Sequence, residues 1–246
     1  MIKFFRRIRK SLIEKNEMVK YFKYAIGEIL LVVIGILIAL QINNWNENRK
    51  SKEKERLALI EIISDLDYSI KDLERVKNSK YNSLLRNINA QKTLIKVLQS
   101  NAKYHDSLAR YFSYANSYDV ADFKISGYNS LSSSGLDIIQ NSKIRSSIGQ
   151  FYTSNIADYK EAFKEVLQDF HEYMLDYMRK DFTYKSLAPI NRELIPNDYE
   201  ALKNDKVYIQ SLRTFLDVNN YYLKKLNMTL KNAVDLKQDI EDYIHD

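Results

Sequence analysis

The chain has 246 residues, with 38 basic and 32 acidic side chains, five Gly, two Pro and no Cys. That length can bury a sizeable core, and so few Gly and Pro argue against an all-β or loop-rich fold. The lack of Cys excludes disulfide scaffolds, thiolate zinc sites and cysteine nucleophiles.

The chain begins with a basic tail, residues 1–23. This tail carries eight basic against two acidic side chains, so the entire net charge of +6 lies here and the remainder is neutral. We therefore expect no nucleic-acid partner for the rest of the chain. The basic residues expected to set membrane topology are Lys3, Arg6, Arg7, Arg9, Lys10, Lys20 and Lys23.

An apolar run follows at residues 24–42, with Glu28 and Gln41 as its polar side chains. As an α-helix it is roughly 28 Å long, close to the thickness of a bilayer's hydrocarbon core. Because the basic flank precedes this span, the positive-inside rule places the N-terminus in the cytoplasm and the C-terminal part in the periplasm. No A-x-A-like site follows before Trp45, so an uncleaved signal anchor in the inner membrane is expected.

Small residues and one carboxylate mark the span. Gly27, Gly35 and Ala39 fall on one side of the helix, where small residues permit close helix approach, so a homodimer or another membrane protein is a candidate partner beside the lipid bilayer. Glu28 lies about one turn inside the span. Its alternatives are an interfacial or helix-pairing role, for example with Lys23, and coupling to a partner or to protons.

A resemblance to a known family covers the same region. Residues 21–47 read YFKYAIGEILLVVIGILIALQINNWNE, and this run resembles the signature of an uncharacterised family of single-span membrane proteins from Bacteroidota, a domain of unknown function. Residues 1–10 resemble the start of that family. Residues 131–139, LSSSGLDII, are similar to a short Ser-Gly motif in it. The resemblance implies location and topology, and no activity.

Helical periodicity extends through the remainder, residues 43–246. One long helix is expected over 47–100 and a second over 103–121, followed by a Gly/Ser-rich loop over 126–135. The first of these carries a 4-3 spacing that predicts an apolar seam. The seam could extend a homodimer outside the membrane, or the bundle could use that face instead. The seam residues are Leu59, Ile63, Leu66, Ile70 and Leu73.

Two further long helices are expected over 143–182 and 207–244. Between them, residues 183–196 contain both prolines and predict a connection, which is followed by a helix cap at Asn197 or Asp198. No segment alternates with period two, so no sheet is expected. The predicted fold is all-α: an N-terminal transmembrane helix continues into a long helix, followed by an antiparallel bundle of about four helices.

Candidate chemistry is sparse. An acidic stripe could suggest a di-iron bundle, but that site needs Glu-x-x-His pairs and Gln168 stands three residues before His171, so a solvated face is the preferred interpretation. The stripe consists of Glu161, Glu165, Asp169, Glu172 and Asp176. Ser132, Ser133 and Ser134 are interpreted as a turn capping the next helix, because no strand or His accompanies them.

Four tyrosines between residues 104 and 118 lie on one helix face. They predict either a groove for a glycan or peptide or the edge of the bundle, and the edge is preferred. We expect no catalytic residue, no metal site and no cofactor. The expected function is a non-enzymatic scaffold or partner-binding module in the inner membrane. The alternative is a ligand-sensing ectodomain that signals through a membrane partner.

Overall fold

The computed structural model describes residues 18–79, 83–186 and 193–245. The chain divides into two compact units, an N-terminal unit (Met1–Lys54) and a helical domain (Glu55–Asp246). A helix from Met18 to Asn78, α1, supplies residues to both. The predicted all-α class is confirmed, since the strands of the described residues are confined to one short pair.

In the N-terminal unit, α1 is apolar on every side from Ile29 to Leu40. Large apolar side chains from Ile26 to Ile42 are exposed throughout. Among the described residues, α1 is the one helix that is long and apolar enough to cross a membrane, judged by length and composition. After this apolar run, charged side chains reappear beyond Trp45. The Arg49 guanidinium lies 5.5 Å from the Trp45 ring centroid, and Lys50 pairs with Glu47 at 3.6 Å.

The helical domain continues with short and long helices and one pair of strands. The helices are α2 (Leu84–Leu98), α3 (Leu108–Ala115), α4 (Ser126–Ser134), a 3₁₀ turn (Leu136–Ile138), α5 (Ser142–Gln150), α6 (Ile156–Asp169), α7 (Leu175–Lys180), α8 (Tyr199–Asn204) and α9 (Lys206–His245). Two π-helical segments, Phe151–Asn155 and Phe170–Met174, join α5 to α6 and α6 to α7. Strands β1 (Phe182–Ser186) and β2 (Glu193–Pro196) pair antiparallel.

These elements form four antiparallel segments. The first is α1 from Glu55 onward with α2, the second runs from α3 to the 3₁₀ turn, the third is α5–α7, and the fourth is α9. Contacts between segments show their directions. Between the third and fourth segments, Asp158 contacts Lys225 and Tyr177 contacts Tyr208, so residue numbers rise along one and fall along the other. The same reversal holds for the first and second segments, where Asp72 contacts Asp122 and Glu55 contacts Gln140. The predicted antiparallel bundle is thus confirmed.

The buried face of α1 differs from the predicted seam. Ile63 and Ile70 are only half-buried and lie at the edge of the core. The buried row also follows a 4-3 spacing but is longer, and it includes two polar residues: Glu55, Leu59, Ile62, Leu66, Ser69, Leu73 and Val76. The seam residues Leu59, Leu66 and Leu73 therefore pack inside their own bundle, which is the second of the two uses considered for this face.

The prediction of one helix over 47–100 is wrong at the end of α1. The helix ends at Asn78, and α2 begins after Ser83, within a run of polar residues that offers no apolar face to continue the core. Ser83 Oγ donates to Lys77 O at 2.8 Å and accepts from Arg86 N at 3.4 Å. This side chain satisfies backbone groups at both helix ends, which fixes the break.

Two predictions for the second segment are wrong. The expected helix over 103–121 is limited to α3, and residues 116–125, here called the connector, are not helical. The Gly/Ser-rich stretch expected to be a loop is the helix α4, which ends at Gly135 with φ +99°. Only Gly adopts that conformation without strain, so the helix ends at this residue.

The later predictions are mostly confirmed. The third segment spans Ser142 to Lys180, and α9 spans Lys206 to His245. Asp198 is the N-cap of α8 and accepts from Ala201 N at 2.9 Å. The connection over 183–196 instead contains β2 and most of β1, so the expectation of no sheet is wrong. The strands are too short to produce the sustained alternation that would reveal them.

Candidate functional site

The connector is not helical, so its N–H and C=O groups do not bind one another as in a helix. Two buried amides of α2 supply partners at its start. Asn87 Nδ2 donates to Ser117 O at 3.0 Å, and Gln91 Nε2 donates to Ala115 O at 3.0 Å. Both amide side chains are wholly buried, so these bonds attach the last residue of α3 and the start of the connector to α2 inside the core.

An arginine and an aspartate of α1 hold the middle of the connector. Arg75 binds Asp119 Oδ2 at 2.6 Å and Val120 O at 3.1 Å. It also binds Asp72 Oδ1 at 2.6 Å, and Asp72 Oδ2 accepts from Asp122 N at 2.7 Å. The hydrogen bond from Arg75 lowers the pKa of Asp72 below its usual value, so this carboxylate stays ionised as an acceptor.

Two tyrosines, one from α6 and one from α9, bind the connector from the opposite side. Tyr159 OH accepts from Ala121 N at 2.7 Å and hydrogen-bonds Tyr222 OH, which donates to Asp119 O at 3.1 Å. Burial raises the pKa of Tyr159 to about 12 and raises that of Tyr222 further. Both phenols are therefore neutral hydrogen-bonding groups and poor nucleophiles at physiological pH.

Asp65 of α1 anchors the first turn of α4. Its carboxylate, 1% exposed, accepts from Gly127 N at 2.6 Å, Tyr128 N at 3.4 Å and Ser126 Oγ at 3.1 Å. Lys124 Nζ lies 3.7 Å away. A carboxylate at a helix N-terminus binds the otherwise unpaired N–H groups and is favoured by the helix dipole. Asp65 therefore acts as a cap delivered from a distant helix, which explains why a Ser- and Gly-rich sequence is helical here.

Glu55 also binds a distant backbone group, just after the end of the second segment. It is 5% exposed and accepts from Gln140 N at 2.8 Å and from Tyr243 OH at 3.0 Å. Sequence reasoning missed these acceptors. A signal existed, because Glu55 stands on the same 4-3 row as Leu59 and Ile62, where a carboxylate interrupts an otherwise apolar face.

The residues singled out in the span lie on exposed parts of α1. A Cβ at Gly27 or Gly35 would meet no heavy atom within 4 Å, and Ala39 is exposed. Glu28 is partly exposed and Lys23 is exposed. Their roles in helix packing, polar contact and topology stay predictions. Lys20 lies in α1, whereas Lys3, Arg6, Arg7, Arg9 and Lys10 lie outside the described residues.

The acidic stripe is exposed except at one residue. Glu161, Glu165, Glu172 and Asp176 face outward, whereas Asp169 is half-buried and its Oδ2 accepts no hydrogen bond from the described protein atoms. The interpretation of a solvated face is therefore wrong for Asp169. In the ranges that the structure describes, no group of three or more His, Asp or Glu side chains could hold a metal.

The buried position of Asp169 predicts a pH-dependent stability. Burial raises its pKa to about 6, with the charge of Glu172 adding to the effect. The folded chain thus holds this proton more tightly than the unfolded chain, so the contribution of Asp169 to the free energy of unfolding falls as the pH rises from about 4 to about 6. After allowance for solvent screening, we expect a loss of about 1 kcal/mol, which Asp169→Asn removes. Urea unfolding of the full chain across this pH range measures it.

The matched control is Glu165→Gln, which removes one charge from the exposed part of the same stripe. This variant should keep the wild-type slope of stability against pH. Equal slopes for Asp169→Asn and the wild type would show that Asp169 titrates as a solvated carboxyl.

The other sequence candidates are separated by the fold. Tyr104 packs on Tyr199 at 5.5 Å between ring centroids, and Tyr118 packs on Phe170 at 4.9 Å, whereas Tyr111 is exposed. These tyrosines do not share a groove, which agrees with the preferred bundle-edge interpretation. Ser132, Ser133 and Ser134 are exposed in the last turn of α4 and do not cap the next element. His105, His171 and His245 are exposed.

A small cleft lies between α9 and the junction of α5 with the first π-helical segment. Its volume is about 160 Å³. Phe151 and Leu236 supply its apolar lining, and its polar lining comes from Ser147, Gln150, Asn155, Asn232, Asp235 and Asp239. The cleft is smaller than the pockets that bind drug-sized ligands. It can admit only a small polar molecule.

No curated protein and no solved structure matches the sequence significantly. Residues 28–173 match a family of unknown function, DUF6090. The match covers more than half of the chain and includes the connector, Asp65 and Arg75, and it ends before α9. The chain therefore belongs to the DUF6090 family of unknown function.

Proposed function

We propose that the protein is a single-span protein of the inner membrane whose helical domain lies in the periplasm and acts as a non-enzymatic scaffold or partner-binding module. The observation that carries this proposal is the exposure of every large apolar side chain of α1 from Ile26 to Ile42. Water makes such exposure unfavourable, whereas lipid makes it favourable. The basic tail, residues 1–23, supports a cytoplasmic N-terminus.

The use of the buried polar groups supports a structural role. Asp65, Asp72, Tyr159 and Tyr222 all bind backbone groups of the second segment. A catalytic group must instead be available to a substrate in a cleft. The chemistry of these side chains is directed at holding a non-helical connector within a bundle, and this supports a domain that presents surfaces to partners.

The cleft beside α9 favours the sensing alternative. Its mixed lining of amides, carboxylates and apolar side chains suits a small polar ligand. The first π-helical segment lines one side, and such segments are frequent at functional sites. In this alternative a ligand at the cleft changes the packing of α5 on α9, and the signal leaves through a membrane partner.

The topology is tested with reporter fusions at the C-terminus of the full chain. A reporter enzyme that folds only in the periplasm should be active after Asp246, and a cytoplasmic reporter at the same point should be inactive. Replacing Arg6, Arg7, Arg9 and Lys10 by neutral residues should give mixed orientations, since the positive flank sets the direction of the span. Activity of the cytoplasmic reporter alone would overturn the proposed location.

A further inference from the structure

A tryptophan and an arginine form a pair directly after the apolar run of α1. Trp45, the only Trp in the chain, is 66% exposed, and the Arg49 guanidinium lies 5.5 Å from its ring centroid. Side chains of a helix lean towards its N-terminus, so Arg49 points back along α1 towards the span. Arg49 makes no ion pair within the part of the chain that the structure describes, although Glu53 stands one turn further from the span.

The proposed span places this pair at the level of the lipid headgroups. At 1.5 Å per residue, Trp45 lies about 4.5 Å beyond Ile42, the last apolar residue of the run. The headgroup layer on each side of a bilayer is roughly 5–7 Å thick. Because the Arg49 guanidinium is close to the Trp45 ring, it lies in or next to this layer, where the phosphates of the lipids are found.

We propose that Trp45, Arg49 and Lys52 bind the headgroup of an anionic phospholipid at the periplasmic surface of the membrane. The three residues recur at four and three positions, so they share one side of α1. The indole attracts the guanidinium through its ring face, which leaves the N–H groups of Arg49 free to donate to phosphate oxygens. Lys52 is exposed, has no partner among the described residues and adds a second positive charge.

Charge selects an anionic headgroup over a zwitterionic one. Both contain a phosphate, but a zwitterionic headgroup also carries a cationic amine, which Arg49 and Lys52 repel. Glu47 does not neutralise the site, because it lies on another side of the helix and pairs with Lys50 at 3.6 Å. The positive-inside rule disfavours basic residues on this flank of the span, so binding of a lipid anion gives them a use.

The single Trp makes the site measurable in the full chain reconstituted into vesicles. Phospholipids with brominated acyl chains quench a nearby indole, so the fluorescence of Trp45 reports which lipids surround it. In mixed vesicles of phosphatidylglycerol and phosphatidylcholine, each lipid is brominated in turn, which gives their relative association constants at Trp45. We expect phosphatidylglycerol to be favoured about three- to five-fold, and Arg49→Gln should lower this preference to less than about two-fold.

The matched control is Lys50→Gln, which removes the same charge one residue away on another side of α1. This variant should keep the wild-type preference, because Lys50 pairs with Glu47. Quenching is compared with unbrominated vesicles of the same variant, which cancels any direct effect of Arg49 on the indole. An equal loss of preference in the two variants would overturn the site, since the effect would then follow net charge alone.

The site rests on the proposed single-span topology, and the same measurement separates the two. Equal quenching of the wild-type chain by the two brominated lipids would overturn the anionic-lipid site while the span stands. Fluorescence that neither brominated lipid quenches would overturn the span and the site together, because Trp45 would then lie away from the bilayer.

Discussion

Replacing Asp65 with alanine should lower the free energy of unfolding by about 3–5 kcal/mol, because the change leaves several buried groups without a partner. Gly127 N, Tyr128 N and Ser126 Oγ all bind this carboxylate, which is 1% exposed. The carboxylate is closed off from solvent, so water cannot replace it without opening the bundle. Chemical denaturation of the detergent-solubilised full chain measures the loss, and hydrogen exchange at Gly127 and Tyr128 locates it.

The matched control is Asp67→Ala, which removes a carboxylate from the same helix two residues away. Asp67 is exposed and binds Lys237 Nζ at 2.6 Å, so its loss should change stability by no more than about 1 kcal/mol. Asp65→Asn keeps one acceptor oxygen and should fall between the two. An Asp65→Ala effect as small as that of Asp67→Ala would show that α4 begins without this cap.

The parts of the fold that were predictable from sequence are those in which local signals agree with tertiary packing. The span is apolar apart from Glu28 and Gln41, and α9 has a helical apolar period. Each of these signals is local in sequence, so the helix is specified without contacts from distant residues. The same holds for the third segment, in which the apolar period continues through both π-helical segments.

The connector and α4 were not predictable, because their partners are distant in sequence. Asp122 N binds Asp72, fifty residues earlier, and Asp119 O binds Tyr222, 103 residues later. Residues 116–125 contain no Gly or Pro that would end a helix. The backbone can stay non-helical there because these side chains bind its polar groups, and Asp65 supports the helical conformation of α4 in the same way.

This division between local and distant signals also bears on function. The polar groups that were hardest to predict serve the fold, and the seam residues Leu59, Leu66 and Leu73 are used by the bundle. Leu57 and Ile60 remain exposed on α1, one row away from the predicted seam. A seam of two heptads was therefore recognisable from sequence, whereas the exact row that is buried depends on contacts with elements that are distant in sequence.

Replacing Gly127 with alanine should destabilise the helical domain by about 3 kcal/mol, because α4 and α1 are in contact through their backbones at this point. A Cβ at Gly127 would lie 2.9 Å from both the carbonyl carbon and the oxygen of Glu61, and 3.0 Å from its Cβ. The carbonyl carbon and oxygen are backbone atoms of a long helix, so they cannot rotate away as the end of a side chain could. The added methyl group would push α4 outward and lengthen the 2.6 Å bond from Gly127 N to Asp65.

The same substitution at Gly149 provides the control, since both glycines are in helices and only one is in close contact. A Cβ at Gly149 meets no heavy atom within 4 Å. Gly149→Ala should therefore stabilise the chain by about 0.5–1 kcal/mol through helix propensity alone. Unfolding of the two variants under one set of conditions gives the comparison. If Gly127→Ala were as stable as Gly149→Ala, α4 could move away from Glu61 at little cost, and Asp65 could not be fixing its position.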